Sequence, residues 1–156
     1  MDPKRLAYAI ARAVTGPVWH GPTLGELLRD VDTADAAAHP VAGAHSIWEL
    51  VLHIAVWAEI AAERLDGRAL EFPPPAEDWP APEPASDEAW AAARERLEHA
   101  YRTLSAKVAG LEAEQLDAMV AGQDHPVWAM LHGVIEHACY HGGQIGLLRR
   151  ALTGPD

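Results

Sequence analysis

Two histidines, His137 and His141, stand four positions apart in the stretch EHACYHGGQI, residues 136–145. Imidazole nitrogen is the commonest side-chain ligand for transition metals, so this spacing asks a chemical question at once. On a helix that advances ~100° per residue the two rings lie about 40° apart. Their Cβ atoms are then ~5–6 Å apart, close enough for both to reach one ion. The spacing matches the HExxH helix of zinc proteases, but the glutamate that serves there as general base is missing. Peptide hydrolysis is therefore not the expected chemistry. The competing explanation is a pair of hydrogen-bonded core histidines.

The face that carries the pair is the apolar one, because Val127, Met130, Leu131, Val134, Ala138, Ile145 and Leu148 recur on it. Inward imidazoles need partners, since an unpaired buried polar group costs ~1–3 kcal/mol. The same wheel sets His132 about 180° and Cys139 about 160° from His141, and Glu136 about 100° from His137. A third ligand must then come from another helix. Of the nine histidines, His53 is the best placed, in WELVLHIAVW, one turn after Leu50 and one turn before Trp57. His99 lies about 200° round its helix from the core position Leu97 and faces solvent. His45 precedes a capping box and reads as a loop residue. Three histidines with one open position describe a catalytic rather than a closed structural metal site. Nitrogen ligands alone do not choose between zinc, nickel, iron and copper.

The elements that would hold these residues are helical. Leu6, Ile10 and Val14 mark a helix over about residues 3–14, stopped by Gly16-Pro17. Thr23-x-x-Glu26 and Ser46-x-x-Glu49 are capping boxes, each satisfying two otherwise orphaned amides. The second box opens a long helix, with Ile47, Leu50, Val51, Ile54, Ala58, Ala61 and Leu65 as its stripe and Gly67 as its stop. Residues 71–85, EFPPPAEDWPAPEPA, hold six prolines and read as a crossover pinned by Trp79. Ser86 caps a third long helix with Trp90, Ala93, Leu97, Ala100, Leu104 and Val108 inward. The last helix is expected from Pro126, as first helical residue, to about Leu152, with Gly154-Pro155 ending it. Arg149 and Arg150 would complement its dipole there. The fold class expected is all-α, a four-helix bundle with a long crossover, in one domain spanning 1–156.

Composition narrows the partners. A net charge of −11 opposes nucleic-acid binding and an anionic membrane surface. Cys139 is the sole cysteine, so no internal disulfide forms, which suits a cytoplasmic location. No run approaches the ~20 apolar residues of a membrane span.

HSIWELVLHIAVW (45–57), DWP (78–80) and HGVIEHACYHGGQI (132–145), with GPVWHGPTLGELL near the start, resemble the DinB-like superfamily over nearly the whole chain. That superfamily includes YfiT-like metal-dependent hydrolases and thiol-dependent transferases and isomerases, and is distinct from the DNA polymerase that shares the label. The resemblance implies an up-up-down-down bundle, a homodimer and one divalent ion, zinc or nickel, on His53, His137 and His141. It also implies a low-molecular-weight thiol or a water activated at the open position. The name of the family points to damage-inducible expression, a stress response.

The leading expectation is accordingly a metal-dependent enzyme on a small molecule, a thiol S-transferase, isomerase or hydrolase. The alternatives are a non-catalytic metal-dependent binding or stress-response module and a structural bundle with a degenerate site. No acid or base stands out. Glu49, one turn before His53, is accounted for by its capping box. Gln144 is either a polar partner that orients a ligand or a helix–helix hydrogen bond, the latter favoured. Tyr140 borders the cavity or packs with its hydroxyl on a partner. Trp48, Trp57, Trp90 and Trp128 read as core or interface, and Trp57 is also a candidate pocket wall. Gly142 and Gly143 would admit another helix or clear space beside the ion.

Overall fold

The computed structural model describes residues 1–82 and 84–154, and the regular elements among the described residues are helices, with two isolated β-bridges in the connections. Four long helices carry the architecture: α1 (Pro3–Thr15), α4 (Ile47–Leu65), α6 (Asp87–Ala109) and α7 (Val127–Thr153). Both α1 and α4 pack on α6 and on α7. Short helices α2 (Leu24–Leu28), α3 (Thr33–Ala37) and α5 (Pro75–Asp78) fill the connections, with a 3-10 turn at Ala113–Leu116. None of the described helices is long and apolar enough to cross a membrane.

Helix α4 is the central element, buried on nearly every side from Ile47 to Ala62. Helices apolar all round occur where neighbours surround them, and here α3, α5, α6 and α7 do so. Its start is fixed as the sequence indicates. Ser46 Oγ accepts the amide of Glu49 at 3.2 Å, and Glu49 Oε2 accepts the amide of Ser46 at 2.7 Å. Gly67, at φ +84°, lies just past its C-terminus, where left-handed backbone favours glycine. Trp48 of α4 meets Trp90 of α6 at 5.4 Å between ring centroids. The Trp90 indole donates to the Val31 carbonyl at 2.8 Å, tying the core to the α2–α3 connection.

Several local expectations need correction. Pro126 stands at the N-cap of α7, one position before the first helical residue. Proline still suits the place, because its fixed φ and missing amide cost nothing before the first turn. The crossover contains a helical turn, α5, begun by Pro75 for the same reason. Of the two roles expected for Gly142, the approach of another helix is the one found. It faces Leu24 and Leu27 of α2, whose methyl carbons would lie 3.5 and 3.7 Å from an added Cβ. Arg149 donates to the Leu27 carbonyl at 2.8 Å, so it anchors α2 to α7 instead of only meeting the helix dipole. Pro155 lies outside the described residues.

Ser46 is fully buried, so Ser46→Ala removes an acceptor that water cannot replace. The variant is expected to lose about 1–2 kcal/mol in urea denaturation with an unchanged m-value. Wild-type stability would contradict the role given to the cap.

Candidate metal centre

His53 sits in the middle of α4, and His137 and His141 sit one turn apart on α7. The packing of α4 on α7 brings the three side chains together. His137 Nε2 lies 3.0 Å from His53 Nε2 and 3.0 Å from His141 Nε2. The three prospective ligand atoms all fall within 4.8 Å of one another. His53 and His141 are buried, and His137 is half-buried.

The outer nitrogens decide what the inner ones are. His53 Nδ1 is 2.7 Å from the Asp78 carbonyl oxygen and 3.1 Å from Asp78 Oδ1. His141 Nδ1 is 2.6 Å from Gln144 Oε1. A carbonyl or carboxylate oxygen only accepts, so both Nδ1 atoms carry the proton and both Nε2 atoms present a lone pair. His137 Nε2 faces these two lone pairs, while its Nδ1 is buried without a partner among the described residues. With the His137 proton on Nε2, its Nδ1 is an orphaned acceptor. With the proton on Nδ1, three lone pairs converge and the N–H is orphaned. Either state leaves a polar atom uncompensated, at about 1–3 kcal/mol. A cation at the convergence point satisfies all three lone pairs. Ligands of a tetrahedral ion at 2.0–2.1 Å are about 3.3 Å apart, close to the 3.0 Å spacings here. The residues fit a divalent ion.

Asp78 comes from the end of α5, so the crossover supplies what neither long helix could. Its carboxylate Oδ1 also accepts the Trp57 indole N–H at 2.8 Å. The next residue, Trp79, stacks flat on the His53 ring at 3.8 Å and on the His45 ring at 3.6 Å. His53 is thus clamped by a face contact and two acceptors. This arrangement limits its rotation more than packing alone.

An open cavity of about 670 Å³ reaches the histidines, with His45, Trp57, Trp79, Tyr140 and Gln144 among its walls. Tyr140 is exposed at its rim, 4.9 Å from the His141 ring. Glu49 is elsewhere: beyond its capping bond, its Oε2 meets His39 Nε2 at 3.0 Å. Gln144 bonds within its own helix to His141, not across to another helix. Cys139 points away, with Sγ 3.3 Å from His20 Nε2, as its place on the wheel requires. Sequence reasoning missed Asp78 and His45 as site residues and gave Trp79 only a packing role. The DWP triplet was the available signal, since an acid and an aromatic within a proline-rich segment seldom serve a loop alone.

Burial, with the neighbouring His141 and His53 adding to it, lowers the pKa of His137 to about 3. Burial also lowers that of His141; the Gln144 bond and Asp78 oppose this, and His53 and His45 add to it.

A family model described as DinB superfamily matches residues 19–145, a span containing every residue of the centre. No curated protein and no solved structure matches the chain.

The lowered histidine pKa values fix the sign of a pH effect on the chelator-treated protein. Below about pH 6.5 the unfolded chain takes up protons that the folded histidines refuse. Stability is full above that pH and declines as pH falls toward 3. The thermal midpoint is expected to drop between pH 7.5 and pH 5, and to drop less in His137→Gln. Equal pH profiles for the two proteins would contradict the burial argument.

Proposed function

The chain belongs to the DinB superfamily, and from that premise we propose that it is a metal-dependent enzyme acting on a small molecule. In this reading His53, His137 and His141 hold one zinc or nickel ion through their Nε2 atoms. The observation that carries it is the convergence of three Nε2 atoms on an open cavity, with two of the outer nitrogens already committed to acceptors. An ion held by these three residues would lower the pKa of a bound thiol or water and so supply a nucleophile near neutral pH. Transfer of a low-molecular-weight thiol and hydrolysis both begin there.

The chain's own residues do the rest. Asp78 and Gln144 hold the proton on Nδ1 of His53 and His141, which keeps each Nε2 available and raises its basicity. Trp57 and Trp79 wall the cavity and keep bulk water from its floor. His45 is the one further imidazole on the cavity wall, and its Nδ1 is 3.7 Å from Glu49 Oε2. Its ring stack on Trp79 fixes the plane it presents to the cavity.

Protein purified without an affinity tag is expected to carry close to one divalent ion per chain, and His53→Ala almost none. Gln144→Leu keeps the three ligands but loses the acceptor on His141, so metal affinity falls about 10- to 100-fold. Metal content by mass spectrometry and competition with a chelating dye measure both; equal content in wild type and His53→Ala would remove the site. Turnover is then sought with two panels, an electrophile plus a small thiol, and activated esters and amides. Metal-loaded wild type that turns over neither would refute the enzymatic reading while leaving the metal site intact.

A further inference from the structure

Behind the histidine cluster lies a second cavity of about 430 Å³, between α4, α7 and the start of the crossover. Trp57 and His137 line both cavities, so the two meet back to back. The second is walled mainly by apolar side chains, including Ile60, Phe72, Met130 and Val134. His125, His137 and Arg64 are its polar members, and Arg64 is only 6% exposed.

Arg64 is poorly compensated for a buried cation. Nη2 donates to the Leu70 carbonyl at 2.9 Å, but Nε is buried without a partner. Among the described residues no carboxylate comes within 4.0 Å of it. Burial lowers the pKa of the guanidinium and Glu71 opposes this from farther off, yet arginine stays charged at any ordinary pH. A buried charge with neither a counter-ion nor a full set of hydrogen bonds is costly, and retaining one beside a cavity calls for an occupant. The second orphan is His137 Nδ1, on another wall of the same cavity. Among the described residues, two of the three unpartnered buried side-chain atoms thus belong to residues that line this one space. An occupant that accepts hydrogen bonds answers Arg64 Nε, and answers His137 Nδ1 in the tautomer that carries its proton there. A guanidinium presents a planar fork that matches a carboxylate. Phe72 is 72% exposed and packs edge-on to Trp57 at 5.3 Å, an apolar surface at the cavity with little of its own to cover it.

We propose that this cavity binds a small organic acid, its carboxylate paired with Arg64 and its apolar body held by Trp57, Phe72 and Met130. The volume suits an aryl or short alkyl acid. The site needs no ion at the histidines, so it stands or falls separately from the metal-dependent reading.

The test is calorimetric titration of the purified protein with phenylacetate, hexanoate, phenylacetamide and inorganic phosphate, repeated after chelator treatment. At least one carboxylate is expected to bind in both states, about tenfold or more tighter than the amide, which lacks the charge, or phosphate, which lacks the apolar body. Arg64→Met keeps the bulk and removes the charge, and should weaken carboxylate binding by a similar factor. Gly133→Leu fills the same cavity where an added Cβ meets nothing within 4 Å, and should block it. If Arg64→Met fails to fold by circular dichroism, Gly133→Leu decides. Neither carboxylate binding, equal binding of acid and amide, phosphate binding as tightly as the acids, or full binding by Gly133→Leu would each overturn the proposal.

Discussion

The hydrogen bond from His53 Nδ1 to the Asp78 carbonyl is the contact on which the rest of the centre depends. Without it the central helix would carry a buried imidazole of undefined tautomer, free to turn away from α7. With it, a residue of the crossover sets the direction of a lone pair on α4. Asp78 also holds the Trp57 indole, and Trp79 stacks on the His53 and His45 rings, so the same short segment fixes three side chains at once. The proline-rich crossover is therefore less a link between helices than a part of the site. Its prolines restrict the backbone before binding, which lowers the entropy lost in holding Asp78 and Trp79 in place.

How much of this could be read from residues alone follows from the kind of signal each part carries. The capping boxes at Thr23 and Ser46 are local chemistry, and both form with the bonds the sequence pattern specifies. The direction of His53, His137 and His141 is a matter of helical phase, and phase survives folding when the helix is long. Asp78, His45 and the site role of Trp79 were not legible in that way. They come from connections, where no period ties sequence position to direction, and only the packing of α5 on α4 brings them to the histidines. Gln144 shows the same limit within a helix. Phase put it near the metal-side stripe, but three residues after His141 it could equally have crossed to another helix.

The centre also shows where this fold accepts local instability for the sake of chemistry. A core made only of leucine and isoleucine would be the more stable choice at positions 53, 137 and 141. Instead three imidazoles converge, with His137 Nδ1 unpartnered, and a few residues away Arg64 carries a buried charge. His137 stands where the two cavities meet and Arg64 lines the second, while the α1–α6 side of the molecule packs Ile10, Leu97 and Leu104 in its core. Two of the three unpartnered buried side-chain atoms among the described residues thus sit on these cavity walls, the third being Arg94 Nε on α6.

The central claim is that three Nε2 atoms and no other protein group hold one ion with a position left open. X-ray absorption spectroscopy on protein loaded with one equivalent of zinc or nickel tests it most directly. The account predicts three imidazole nitrogens at about 2.0–2.1 Å, completed by light-atom ligands that a small added thiol replaces with sulfur. A shell without three imidazoles, or one closed by a fourth protein ligand and unchanged by thiol, would contradict it.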